Sequence, residues 1–139
     1  MIRGWQRYAC LACMAGCLHA GDLAAPTVAK ILRVVAACGG SAGRIACQDG
    51  EVAAELRRLG VTVDPKAPIV WATSDREVAQ SATPGRLVVC GHPGLLAKGA
   101  ALAITAEGGR PAIYIHPGHM ASSGLTLPDS VVKISKVVK

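Results

Sequence analysis

The stretch Arg86-Leu87-Val88-Val89-Cys90-Gly91-His92-Pro93-Gly94 decides the fold. After Arg86 it is uniformly apolar for four residues and then stops at glycine, histidine and proline. A strand buried on one face alternates apolar and polar side chains, whereas one buried on both faces reads as a continuous apolar run. Residues 86–90 are of the second kind, which predicts a central parallel strand with helices packed on both sides.

Working upstream, residues 25–37 predict a helix: Val28, Ile31, Leu32 and Val35 follow the i, i+3, i+4, i+7 spacing, with Lys30 and Arg33 off that stripe. The glycines at 39, 40 and 43 end it. A strand over 44–48 and a helix over 51–59 follow, the latter stopped by Gly60 in the position where a left-handed backbone caps a helix. Residues 61–63 read as a brief edge strand and 69–73 as a buried one. Ser74 or Asp75 then caps a short helix through Gln80. Downstream of the central strand comes a short helix to Lys98. Two strands, 101–106 and 112–116, flank the turn residues Gly108 and Gly109 as a hairpin. Residues 125–139 read as a closing helix with Leu127, Val131, Ile134 and Val138 in one apolar stripe and Lys133, Lys136 and Lys139 facing water. The fold class that results is α/β: three layers, a mostly parallel sheet with helices on both faces and one antiparallel hairpin near the C-terminus.

Composition narrows the function. The chain has 139 residues, enough for a single domain. It is 51% hydrophobic but only 3% aromatic, without phenylalanine, so its core is built from small aliphatic side chains and base-stacking platforms for nucleic acid are excluded. The net charge of +6 is scattered and forms no basic stripe, so no nucleic-acid partner is expected. Residues 1–20 carry Arg3 and Arg7, an apolar run from Tyr8 to Leu18 and the small residue Ala20. This is the layout of a secretory signal peptide, which gives residues 21–139 as the mature domain and the periplasm as its compartment. Met14-Ala15-Gly16-Cys17 approximates a lipoprotein cleavage box, so a lipid anchor on Cys17 is the alternative.

Of the six cysteines, Cys10, Cys13 and Cys17 leave with the leader. Cys47 and Cys90 each end a predicted strand, so neighbouring strands would bring them together as a disulfide in an oxidising compartment. Cys38 with Cys47, or three buried free thiols, are the rival arrangements. His92, His116 and His119 are the candidate metal ligands, since neutral imidazoles suit zinc or copper. Cys47, Cys90 and His116 are expected on one edge of the sheet, the edge where ligands bind in open α/β folds. No pair of carboxylates is spaced for acid–base work, and no nucleophile elbow or phosphate-binding glycine spacing occurs, so neither an enzyme nor a cofactor is expected.

The run Gly108-Gly109-Arg110-Pro111-Ala112-Ile113-Tyr114-Ile115-His116, the step Gly124-Leu125-Thr126-Leu127-Pro128 into the closing helix, the helix bearing Ala29-Lys30-Ile31-Leu32, and the strands carrying Ile45, Cys47 and Leu87–Cys90 together resemble the YfiR family of small periplasmic proteins. His116 stands where that family usually has asparagine, and Val and Ala replace its amino-terminal aromatics. The resemblance implies an exported, non-enzymatic domain that regulates an inner-membrane signalling protein, such as a diguanylate cyclase, by binding its periplasmic part; a homodimer is a further possibility. The alternative is a small periplasmic metal- or solute-binding protein using His92, His116 and His119.

Overall fold

The computed structural model describes residues 23–37 and 43–137. The expected signal peptide, with Cys17, lies outside them, as do Cys38 and Val138. Strands β1 (Arg44–Cys47), β2 (Thr62–Val63), β3 (Ile69–Ala72), β4 (Leu87–Cys90), β5 (Leu102–Glu107), β6 (Arg110–Ile115) and β7 (Ser135–Val137) form one sheet in the order β2-β1-β3-β4-β5-β6-β7. The first five run parallel. β6 turns back antiparallel to β5, and β7 runs parallel to β6. The α/β class, the mostly parallel sheet and the hairpin are therefore as the sequence predicts.

Period-two alternation divides the core. Ile45, Ile69, Trp71, Leu87, Val89, Leu102, Ile104 and Ile113 form one face, buried under helices α1 (Ala25–Ala36) and α2 (Gly50–Arg58) together with Leu127 and Val131. The other face is made of smaller groups, Ala72, Val88, Cys90 and Ala103, which meet Val78 of α3 (Asp75–Ser81) and Leu96 of the 3-10 segment Pro93–Lys98. That second layer approaches closely. At Gly99, with φ of +128°, a Cβ would stand 2.8 Å from the Cβ of Ala82, so only glycine lets the end of the 3-10 segment pass α3.

Caps set the element boundaries. Asp49 accepts hydrogen bonds from the N–H groups of Glu51 and Val52 at the start of α2, and Ser74 rather than Asp75 caps α3, accepting from Glu77 N at 3.2 Å. Gly60, at φ +85°, ends α2 as expected, with the Val61 N–H reaching back to the Leu56 carbonyl.

Two features depart from the sequence expectation. A helix, α4 (Pro117–Ser123), follows β6 where the sequence reading assigned no element; proline costs little in a first turn, where its missing N–H has no helical partner anyway. The closing helix over 125–139 is shorter than expected. It spans only Asp129–Ile134 (α5), and from Ser135 the backbone is extended and pairs with β6. Within that strand Val137 is β-branched and favours a pleated surface. The Ser135 hydroxyl turns back to the Val131 carbonyl and closes the helix. The predicted stripe is thus broken: Leu127 and Val131 are buried, whereas Ile134 is 68% exposed.

Candidate functional site at the carboxyl edge of the sheet

The connection from β1 to β2 passes through α2 on one face, and that from β3 to β4 passes through α3 on the other. The chain therefore diverges between β1 and β3, the topological switch point where crossovers on opposite faces leave a crevice beyond the strand ends. A cleft of about 410 Å³ lies there. Asp49 and Glu51 border it after β1, Trp71 and Thr73 at the end of β3, and Gly91 and His92 after β4; Val28, Val52, Leu95 and Ile104 supply apolar wall. The volume is in the range of small-molecule sites.

Most polar groups here have local partners. Asp49 caps α2. The Thr73 hydroxyl donates to Glu77 Oε1 at 3.0 Å. His92 Nδ1 accepts from Gly94 N–H at 3.2 Å, so in the neutral ring its proton sits on Nε2. Trp71 is the exception: it is 95% buried, and its indole Nε1–H has no acceptor. A buried donor left without a partner costs about 1–3 kcal/mol. Gly91 makes room for the ring, since a Cβ there would lie 3.3 Å from Trp71 Cη2.

The thiols at the strand ends mirror one another. Cys47 Sγ donates to the Asp49 carbonyl at 3.4 Å and Cys90 Sγ to the His92 carbonyl at 3.2 Å, each two residues on. Burial pushes both up to about 11. Both are free, and the expected Cys47–Cys90 disulfide does not form. β3 lies between their strands, and they belong to clusters on opposite faces of the sheet.

The expected single edge for Cys47, Cys90 and His116 also fails. The hairpin reverses the chain, so the end of β6, and His116 with it, lies at the amino edge of the parallel strands, opposite His92. His116 Nδ1 caps α4 by accepting from His119 N–H at 3.1 Å, and the two imidazoles stack with centroids 3.8 Å apart. His119 Nδ1 lies 3.0 Å from the Ala100 carbonyl, which can only accept, so that nitrogen carries the proton. Capping thus engages the one lone pair of His92 and of His116, and only His119 keeps a free one, at Nε2. Among the described residues no group of three or more His, Cys, Asp or Glu side chains is placed to hold a metal ion.

Of the sequence candidates only Cys47, Cys90 and His92 come to the carboxyl edge. Trp71, Thr73, Asp49 and Glu51 were not singled out as a site, although the one tryptophan after residue 20 was a legible signal in a chain so poor in aromatics. No described helix is long and apolar enough to cross a membrane. No protein-family model and no curated protein matches this chain.

Proposed function

We propose that this chain is an exported, non-enzymatic binding protein of the YfiR type that regulates a partner by docking to the periplasmic segment of an inner-membrane signalling protein such as a diguanylate cyclase. The observation that carries this reading is the C-terminal edge of the sheet. Among the described residues β7 is the last strand; Val132 and Ile134 just before it and Val137 within it are 49%, 68% and 64% exposed. An open strand edge flanked by exposed aliphatic side chains is a template for strand addition by another chain, and an aggregation hazard unless something covers it. Lys133, in the helix that leads into it, favours an acidic partner segment. The carboxyl-edge groups Asp49 and His92 serve as helix caps, which accords with a binding role rather than catalysis. Export rests on the layout of residues 1–20, and the intact mass of the secreted protein tests it: a chain starting at Gly21 is expected, and one retaining Met1 refutes it.

The docking test is a photo-crosslinking residue at position 137 in the native cell. The expected adduct is an integral inner-membrane protein with a periplasmic segment, absent when the probe is at Lys66 near the opposite edge. Adducts with copies of the chain alone would replace docking by self-association.

A further inference from the structure

The charge of the carboxyl-edge cleft is opposite to that of the chain. The sequence carries +6 overall, yet among the described residues the charged side chains bordering the cleft are the acids Asp49 and Glu51, with no lysine or arginine. Glu77, held to Thr73 at the rim, adds a third carboxylate nearby. The positive end of α2 points the other way electrostatically, but it amounts to about half a charge and is already met by Asp49. An anion entering the cleft would therefore meet repulsion, and a cation attraction. Independently of the acids, Trp71, which lines the cleft, carries a buried Nε1–H without an acceptor. Val28, Val52 and Ile104 offer apolar surface between them.

We propose that this cleft binds a small organic cation with an apolar body and a hydrogen-bond acceptor, its charge facing Asp49 and Glu51, its body against Val28, Val52 and Ile104, and its acceptor on the Trp71 indole. His92, with its proton on Nε2, supplies a second donor at the rim. The site shares no residue with the β7 edge, so it gives the protein a ligand input separate from its docking surface, and the two proposals stand or fall independently.

Calorimetry on the mature protein tests it with two probes of the same aromatic body: tyramine, which carries an ammonium and a phenolic oxygen, and 4-hydroxyphenylacetate, in which a carboxylate replaces the ammonium. Tyramine should bind saturably and the carboxylate at least tenfold more weakly. The indole N–H resonance of Trp71, assigned with Trp71→Phe, should shift with tyramine. Glu51→Gln, which leaves the Asp49 cap intact, should weaken tyramine about tenfold while the melting temperature stays put. Equal affinity for the two probes, no binding of tyramine at millimolar concentration, an unmoved indole resonance, or full affinity in Glu51→Gln each overturns the proposal.

Discussion

The ammonium of Lys136 in β7 lies 2.7 Å from Glu107 Oε1 at the end of β5, two strands away, while the Tyr114 hydroxyl on the intervening strand donates to the other oxygen of the same carboxylate. Lys136 also stands 5.5 Å from the Tyr114 ring centroid. One carboxylate thus ties the last strand across β6 to the hairpin.

This tie is pH-dependent. Lys136 first, and Tyr114 second, hold the Glu107 carboxyl below its ordinary value of 4.5. A depressed folded value means that the stabilisation is complete above the ordinary value and lost as pH falls through the lowered one. Lys136 is raised above 10.5 by Glu107, so its share is complete below that value and lost as pH rises through the raised one. Hydrogen-exchange protection of the amides of residues 135–137 should therefore be flat near neutrality and fall at both extremes. Glu107→Gln should show the acid-side loss already at pH 7. Unchanged protection in that variant would mean that backbone pairing alone holds β7.

The C-terminal stripe yields a stability contrast. Leu127 is 7% exposed and packs in the large core cluster, so Leu127→Ala should cost about 2–5 kcal/mol. Ile134 is 68% exposed, so Ile134→Ala should change stability by no more than about 0.5 kcal/mol. Urea melts of the two variants check this. A large loss at Ile134 would restore the single long helix that the spacing suggests.

The difference between sequence and structure is instructive here. Leu127, Val131, Ile134 and Val138 fit a helical period, but residues 135–137 satisfy a second demand, the edge of β6, whose backbone groups pair with an extended segment and not with a helix. Local patterns made the buried strands legible: four-residue apolar runs such as Ile69–Ala72 and Leu87–Cys90 have few other readings. Strand order is not a local property. Without it, the place of β3 between Cys47 and Cys90 could not be read, nor could the switch-point cleft or the unpartnered indole of Trp71. The placement of His116 is a different matter, because a hairpin already reverses the strand that carries it.

The histidines are expected to act as caps. His116→Ala removes the acceptor for His119 N–H and should cost about 0.5–2 kcal/mol, whereas His116→Asn, which can cap from its side-chain oxygen, should retain most of it. Zinc added at stoichiometric level should leave the melting temperature unchanged, since His92 and His116 must give up a cap to offer a lone pair. A zinc-dependent rise abolished by His116→Ala would show instead that the metal outcompetes the backbone N–H.

The thiols give the last test. Adjacent strands are about 4.8 Å apart, so the two strand spacings between β1 and β4 put Cys47 and Cys90 about 10 Å apart, beyond the roughly 7 Å between Cα atoms that a disulfide spans. Their registers add to this: Cys47 is level with Trp71 and Cys90 with Ala72, consecutive residues of β3 whose side chains point to opposite faces. Forming the bond would require β3 to leave the sheet and the central core to open. Both thiols should therefore be recovered unpaired with each other from an oxidising compartment, as non-reducing peptide mapping would show. Reactivity should follow burial: with both values pushed up to about 11, the thiolate fraction near neutral pH is small, and Cys90, fully buried, should be alkylated only on unfolding, after the partly exposed Cys47. A Cys47–Cys90 peptide in the map would contradict the strand order, and alkylation of Cys90 before Cys47 in the folded protein would contradict their burial.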